Sequence, residues 1–484
     1  EIFYPREFFD KPIFISFGGN EFCAPKKPQE YLMSVYGDYL MQRRENEEMR
    51  HSGKSDEFAM RLENQIKSDP RRGGVIILNS STARKNRIDF NYDMTEELLQ
   101  FFAPDQHFFF EYADTIDLGS VPESILNVPF VMNLIPLVWL SDSVMYIKTL
   151  DKNFYDCLDE IKLGFKRVYP SVKFGGRLVV EKLEVNEYPK TGKTTIFFTG
   201  GVDATASLIN NIKKKPEPFY ILGADVDLSD TQNIAAAQRD VPASLQALGF
   251  RCHFIRSSIR YFFDGVKITN YFEKQLKDSW WHGAQHSIGM LSLMAPYAYL
   301  NRIDTCIIAA SFTAAYEGKI NCVSFPFIDD ALCFGSTGCY HDGYDMTRQD
   351  KINLITSFCA KHNVKLNLRV CFSPINGQNC NHCEKCMRTI MAIRATGYDP
   401  NNYGFSVKSS NYAEIHEYLS NNLLYHTAHW EAIRAEFRKH KKKWEKDPDV
   451  SWILNIKFNS FKIYACLGVK KIRRILKKIL RIGR

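Results

Sequence analysis

Long apolar runs are missing from this sequence. The longest one, residues 128–140, is interrupted by Pro129, Asn133 and Pro136. A helix needs about 20 consecutive apolar residues to cross a bilayer, so this run is too short. The sequence therefore predicts no membrane-spanning helix.

A charge excess is also missing from most of the chain. The 484 residues include 63 Lys and Arg against 55 Asp and Glu, which gives a formal net charge of +8. The last fifteen residues, 470–484, hold eight of the basic residues and no acidic one, so the rest of the chain is neutral. Because nucleic-acid-binding faces are basic, the body gives no strong signal for a nucleic-acid partner.

No secretory signal with a charged start and an apolar core is visible. The 13 cysteines are scattered singly, apart from one cluster near the end. Disulfides belong to oxidising compartments, and we therefore expect a cytoplasmic protein with reduced thiols. The composition is ordinary for a globular protein, and the length predicts about two to four domains.

A strand, a glycine turn and the start of a helix follow one another in residues 194–208, TTIFFTGGVDATASL. Paired glycines let backbone N–H groups approach an anion closely, and the helix dipole favours negative charge at that end. We predict a nucleotide-binding loop in which Asp203 holds Mg²⁺ between phosphate oxygens. The predicted binding residues are Thr199, Gly200, Gly201, Asp203 and Thr205. The alternative interpretation is an ordinary Gly-Gly turn before a helix.

Strand and helix patterns alternate from residue 193 onwards, which predicts a parallel α/β sheet of the Rossmann type. A second strand, residues 219–222, ends at Gly223 and Ala224. Ligands of open parallel sheets lie at the carboxyl ends of the strands. We therefore expect the backbone of Gly223 and Ala224 to contact the adenine of a nucleotide.

Four cysteines near the end of the chain have metal-ligand spacing, C-x8-C-x2-C-x2-C. Short spacing with turn-forming residues between the ligands is typical of a tetrahedral zinc site. An iron–sulfur cluster is the main alternative. Lys385 and Arg388 lie nearby in the sequence and would offset the charge of four thiolates. The predicted ligands are Cys371, Cys380, Cys383 and Cys386.

The loop at residues 199–205 resembles the S-G-G-x-D-S motif of the PP-loop ATP pyrophosphatase superfamily. Together with the helix start at residues 347–350 (TRQD) and the C-x8-C-x2-C-x2-C-x-R block, it looks like 7-cyano-7-deazaguanine synthase. The similarity covers residues 193–397. Ala204 departs from the motif, since the family has a serine there.

The resemblance implies an ATP-dependent ligase that releases AMP and pyrophosphate. It would adenylate a carboxylate, and ammonia or an amine would then attack to form an amide or a nitrile. Asp203 and Arg348 would be the catalytic residues, with Arg348 neutralising the departing pyrophosphate where the family has a lysine. The family's Gly-Tyr-Pro-Asp-Cys-Arg substrate segment is missing, so the resemblance implies ATP, Mg²⁺ and Zn²⁺ more strongly than any particular substrate.

Two other functions fit the same motifs. One is a PP-loop sulfurtransferase or amidotransferase that modifies RNA or a glycan precursor. The other is a degenerate protein that binds a nucleotide for regulatory reasons, which Ala204 favours. Release of pyrophosphate would separate the enzymes from the regulatory protein.

The patterns divide the chain into four parts. Residues 1–190 form a mixed α+β domain, which is either a scaffold for a homodimer or a substrate-selecting domain. Residues 191–397 form the PP-loop domain with the four-cysteine site. Residues 398–468 are helical.

The residue pattern of the fourth part, residues 469–484, predicts a basic amphipathic helix. Apolar residues lie on one face of this helix, and Lys and Arg lie between them. Such a helix can bind the anionic inner face of a membrane. A solvated tail is the alternative.

Overall fold

The computed structural model describes residues 13–17, 20–24, 73–104, 107–372, 374, 376–424, 427–460 and 463. The chain divides into two compact units, Glu1–Ser68 and Asp69–Arg484. In the first unit, β1 (Ile13–Phe17) and β2 (Asn20–Ala24) pair in antiparallel fashion. The basic tail predicted at residues 469–484 lies outside the described residues.

In the described part of the second unit, eleven strands form one sheet in the order β12-β13-β11-β8-β9-β10-β5-β4-β3-β6-β7. Six of the ten neighbouring pairs in this sheet are parallel. The protein is therefore α/β, as predicted. The strands are β3 (Val75–Arg84), β4 (Arg87–Met94), β5 (Phe109–Glu111), β6 (Val144–Asp151), β7 (Arg177–Glu184), β8 (Thr194–Phe197), β9 (Glu217–Leu222), β10 (His253–Ser257), β11 (Thr305–Ala309), β12 (Cys333–Phe334) and β13 (Thr337–Asp342).

Helices alternate with these strands and cover the sheet. The α-helices are α1 (Glu96–Leu99), α2 (Glu123–Leu126), α3 (Val128–Ser141), α4 (Lys152–Val168), α5 (Val202–Asn210), α6 (Thr231–Ala247), α7 (Gly265–Leu276), α8 (His286–Ser292), α9 (Ala295–Asn301), α10 (Pro326–Asp329), α11 (Arg348–His362), α12 (Glu384–Ala395), α13 (Ser409–Asn421), α14 (Thr427–Lys439) and α15 (Lys441–Trp444). Shorter helical turns are Ile212–Lys214, Trp281–Gln285, Ala314–Tyr316, Pro400–Tyr403 and Ser451–Leu454.

The longest apolar run of the sequence forms helix α3 inside the main hydrophobic core. Its side chains from Val128 to Trp139 are all buried. This explains the apolar run, because a helix surrounded by core on every side needs no polar face. Within the described residues, no helix combines the length and the hydrophobicity that a bilayer crossing requires.

The sheet continues across the boundary predicted at residue 190, which lies between β7 and β8. Strands on both sides of that boundary meet where β10 pairs with β5, and the main core is shared as well. The ring of Phe108 stacks on that of Phe262, for example, with centroids 4.7 Å apart. Residues 75–184 thus contribute five strands to the same sheet as the glycine loop.

The helices after the cysteine cluster pack against α5, which follows the glycine loop, and against α11 and α12. A second core cluster joins residues of α5, α11 and α12 to Trp430 of α14, which is fully buried. The indole Nε1 of Trp430 donates to Glu384 at 3.1 Å. The predicted helical region from residue 398 therefore supports the side of the sheet where α12 lies.

Candidate functional site

The glycine loop lies at the carboxyl end of β8, in the middle of the parallel part of the sheet. β11 and β9 flank β8, and both run parallel to it. All four β8 side chains are buried, and the chain then turns through Gly200, with φ of +76°, into α5. The predicted strand, glycine turn and helix are confirmed. Gly201 is the N-cap of α5, so the helix N-terminus opens at this edge of the sheet.

A neighbouring segment holds the glycine loop from one side. The Arg369 backbone N–H donates to the Gly200 carbonyl at 2.8 Å. Within the loop, the Gly201 N–H donates to Thr199 Oγ1 at 3.3 Å. A Cβ on Gly200 would lie 3.5 Å from the Arg369 side chain, so glycine is required here by the positive φ rather than by lack of space.

Asp203, in the first turn of α5, lies between two buried cations. Arg348 Nη1 is 2.9 Å from its Oδ2, and Lys351 Nζ is 3.0 Å from its Oδ1. The side chains of Arg348 and Lys351 are only 8% and 3% exposed, against 21% for Asp203. Burial acts to raise the pKa of Asp203, but the charges of Lys351 and Arg348 overcome it and hold the pKa well below its ordinary value.

Both cations come from the start of α11, as the sequence predicted for Arg348. Thr347 caps this helix through a capping box with Asp350: Thr347 Oγ1 accepts from the Asp350 N–H, and Asp350 Oδ2 accepts from the Thr347 N–H. Arg348 and Lys351 are three residues apart and therefore share one face. The Lys351 ammonium also donates to the Ala310 carbonyl, which follows β11.

Two further cations reach the site from α12. Burial lowers the pKa of Lys385, and the charge of Arg348 lowers it further. Burial also lowers the pKa of Arg388, to about 10, and Arg348 again contributes. The charge of Lys385 acts on Asp203 in turn. Arg388 has Glu384 as a partner at 3.7 Å.

The acidic groups are too few to balance these cations. Four basic side chains, Arg348, Lys351, Lys385 and Arg388, act on or contact three carboxylates, Asp203, Glu384 and Asp225. The Nε–H groups of Arg348 and Arg388 are buried and lack an acceptor among the described residues. Buried donors and charges without partners are costly. The arrangement is therefore suited to an anion with several oxygens.

The next two residues of α5 are buried away from solvent. Ala204 packs in a small core cluster with Ile196 and Leu208, which explains why a small apolar side chain is tolerated there. Thr205 is 1% exposed, and its Oγ1 has no hydrogen-bond partner within the described residues. The Thr205 hydroxyl is therefore an unused donor next to the loop.

The turn after β9 lies beside the glycine loop because β9 and β8 are parallel neighbours. Gly223 has φ of +100°, and a Cβ there would lie 1.8 Å from the Ser257 carbonyl oxygen, so only glycine fits. Arg260 Nη1 donates to the Ala224 carbonyl at 3.0 Å. Gly223 and Ala224 thus form a fixed turn at the carboxyl edge of the sheet, next to the glycine loop.

The structure brings the four cysteines of the terminal cluster together. Cys371 Sγ is 4.0 Å from Cys383 Sγ, and Cys380 Sγ is 4.0 Å from Cys386 Sγ. All four sulfurs lie within 4.8 Å of one another. Sulfurs around a metal ion at bonds of about 2.3 Å are about 3.8 Å apart in a tetrahedron. The group therefore could hold one metal ion.

The sequence reasoning missed two elements of the cationic site. Lys351 was not singled out, although its spacing from Arg348 places both on one helix face. Lys385 and Arg388 have the same spacing, but their place in the cysteine cluster predicts that they offset the charge of the thiolates. The backbone contact of Arg369 with Gly200 has no sequence signal, since the two residues are far apart in the chain.

Comparison of the chain with protein-family models gives no match, and comparison with curated proteins gives none either.

Proposed function

We propose that the protein is an ATP-dependent, AMP-forming ligase that adenylates a carboxylate and passes it to ammonia or an amine. The observation that carries the proposal is the group of four cations, three of them buried, beside a glycine loop at the carboxyl edge of a parallel sheet. A triphosphate has the charge to balance them, and the helix N-terminus at Gly201 supplies further N–H donors.

In this proposal the residues of the loop and of α11 position the phosphates. Gly200 and Gly201 present backbone N–H groups, Thr199 and Thr205 supply hydroxyls, and Arg348 neutralises the pyrophosphate as it departs. The chemistry requires no nucleophilic side chain, because the amine attacks the adenylate directly. Gly223 and Ala224 contact the adenine in the adjacent turn.

Asp203 is the proposed ligand of Mg²⁺. Its carboxylate is ionised and acidic enough to remain so, which suits a hard divalent cation with oxygen ligands. Bound phosphates would compete for Arg348 and Lys351, and this would leave carboxylate oxygens for the metal ion. Mg²⁺ supplies charge neutralisation between phosphate oxygens when it is bound.

Zinc is the proposed occupant of the four-cysteine group. Four thiolates are soft ligands, and their mutual distances suit a single tetrahedral ion better than a cluster of several metal atoms. A site closed by four protein ligands has no open position for a substrate. We therefore assign zinc a structural role.

A nucleotide-binding measurement tests the proposal most directly. Calorimetry with a non-hydrolysable ATP analogue and Mg²⁺ should give one binding site in the full chain. Asp203→Ala should remove turnover of ATP to AMP and pyrophosphate, measured by pyrophosphate release with candidate carboxylates and ammonia. Arg348→Met should weaken binding of the analogue by about tenfold or more, since a charge-assisted contact is lost.

Lys361→Met serves as the matched control, because this lysine is exposed in the last turn of the same helix. It should bind the analogue as the unmodified chain does. Absence of nucleotide binding in the unmodified chain, or unchanged pyrophosphate release in Asp203→Ala, contradicts the proposal.

A further inference from the structure

The metal-binding loop and the glycine loop are joined by a short chain of hydrogen bonds. Arg369 donates its N–H to the Gly200 carbonyl at 2.8 Å, and Cys371 follows two residues later. Asn379, next to Cys380, accepts from the Cys371 N–H at 3.2 Å. Asn379 therefore holds the segment around Arg369 and Cys371, and this segment in turn contacts the glycine loop.

Asn379 makes further bonds that tie the same segment down. Its Oδ1 accepts from the Val370 N–H at 3.0 Å, and its Nδ2 donates to the Leu368 carbonyl at 2.7 Å. Nδ2 also donates to the Gly404 carbonyl at 2.8 Å. Displacement of Asn379 would release the backbone on both sides of Arg369.

A second connection runs through α12. This helix begins directly after Cys383, and Cys386 lies in its first turn. Lys385 therefore sits between two metal ligands, and its charge acts on Asp203. Within the described residues, the Lys385 ammonium has no hydrogen bond and no carboxylate partner, and it lies 5.0 Å from the exposed ring of Phe372.

We propose that the metal-bound cysteine loop controls the anion site, with Lys385 as an additional anion-binding residue and Arg369 and Asn379 as positioning residues. Metal occupancy would fix Arg369 against Gly200 and hold Lys385 at the start of α12, from where its charge acts on Asp203. The ligand is the pyrophosphate portion of the nucleotide, so this inference rests on the proposed function. Without the metal, no coordination bonds link Cys371, two residues after Arg369, to Cys383 and Cys386 at the start of α12.

The alternative role for the metal is to fasten the C-terminal helices alone. α12 packs against Trp430, and Glu384 accepts a hydrogen bond from that indole. In that case the metal would stabilise the fold without changing the glycine loop. The two roles differ in what happens at Gly200 when the metal is removed.

Amide hydrogen exchange of the full chain distinguishes these roles without any ligand. We expect removal of zinc by a chelator to speed exchange at residues 199–203 by about fivefold or more, a typical size for coupling between sites. Exchange in α3, which lies in the other core, serves as the internal reference. Unchanged exchange at residues 199–203 in zinc-depleted protein with an intact α3 overturns the coupling.

Asn379→Ala keeps all four cysteines and covers the case in which zinc-depleted protein fails to fold. It should retain one zinc per chain and still show faster exchange at residues 199–203. Asn422→Ala is the matched control, because it also removes an amide hydrogen bond but lies at the end of α13. Equal exchange at residues 199–203 in the two variants contradicts the positioning role of Asn379.

Lys385→Met tests the anion-binding role separately. Zinc content and exchange at residues 199–203 should match the unmodified chain, while calorimetry with magnesium pyrophosphate should show about tenfold weaker binding. Lys361→Met, far from the site, should bind normally. Unchanged pyrophosphate affinity in Lys385→Met removes the role of Lys385. If the unmodified chain binds no pyrophosphate, both that role and the proposed function fail, whereas the exchange experiment still decides the coupling.

Discussion

At the scale of single residues, charge balance distinguishes this site from an ordinary glycine turn. Asp203 contacts two cations that are almost fully buried, Arg348 and Lys351, and both come from a helix about 145 residues further along the chain. Once Lys385 and Arg388 are included, four cations face three carboxylates, Asp203, Glu384 and Asp225. Buried charges require partners, so the charges of this group suit an anionic ligand.

His286, at the start of α8, lies within reach of these positive charges. Its Nδ1 is buried and has no hydrogen-bond partner within the described residues. Burial, together with the charges of His282, Arg260, His341 and Lys385, lowers the pKa of His286 to about 3. The imidazole is therefore neutral in the folded protein at neutral pH.

We predict that His286 makes the fold acid-sensitive. Its pKa in the unfolded chain is about 6.5, above the folded value, so the unfolded state binds the extra proton first. The free energy of unfolding should fall as pH drops from about 6.5 towards 3, by at most about 1.4 kcal/mol per pH unit from this group. Urea unfolding at a series of pH values measures it.

His286→Gln should flatten that part of the pH profile. The exposed His362 provides the control, because His362→Gln should leave the profile unchanged. A His286→Gln profile with the original slope would show that other groups cause the acid sensitivity.

At the scale of elements, turns and helix starts bring the residues of the candidate site together. The capped start of α11 points Arg348 and Lys351 at Asp203, and the start of α12 carries Lys385 between two cysteines. The turns after β8 and β9 depend on glycines with positive φ. Each of these segments is short and defined by local chemistry, whereas the strands between them mainly fix their relative positions.

Two glycine substitutions should separate backbone strain from steric clash. Gly192 has φ of +80° with no atom within 4 Å of an added Cβ, whereas at Gly223 the Cβ would meet the Ser257 carbonyl oxygen at 1.8 Å. We expect Gly192→Ala to lower the free energy of unfolding by about 1 kcal/mol. Gly223→Ala should cost about 1–3 kcal/mol more, because a backbone carbonyl must move.

Urea denaturation of both variants measures this difference. Nucleotide binding should also weaken in Gly223→Ala and stay normal in Gly192→Ala, since only the former turn adjoins the glycine loop. Equal free energies of unfolding for the two variants would show that the Ser257 carbonyl moves away from the added Cβ at little energetic cost.

At the scale of the whole molecule, the described part of the second unit is one sheet with a shared core. Strand β10 pairs with β5 through Arg256 and Ser257, and Ser257 Oγ donates to the Phe109 carbonyl at 2.7 Å. The glycine loop therefore depends on strands from the first half of the chain. Residues 75–184, which belong to the predicted N-terminal domain of residues 1–190, thus share one sheet with the glycine loop.

We predict that residues 191–397 do not fold alone. Removing the preceding strands would expose the edge of β10 and the apolar surface around Phe262, which stacks on Phe108. The fragment 69–484 should unfold cooperatively in urea, whereas 191–397 should show no cooperative transition by near-ultraviolet circular dichroism. A cooperative transition in the shorter fragment would contradict the shared core.

The sequence by itself determined the features that local chemistry specifies. The glycine turn before α5, the Thr347–Asp350 capping box and the cysteine spacing each lie within a few residues, so steric and hydrogen-bonding rules define them without the rest of the fold. The alternation of strand and helix likewise predicted an α/β sheet.

Only the tertiary structure decided which distant residues meet. The pairing of Asp203 with Lys351, the contact of Arg369 with Gly200 and the pairing of β10 with β5 join segments that are remote in sequence. No local pattern encodes such contacts, because they depend on how strands order within the sheet and how helices pack on it. The physical reason is that burial and charge pairing act through space, whereas motifs and periodicity act along the chain.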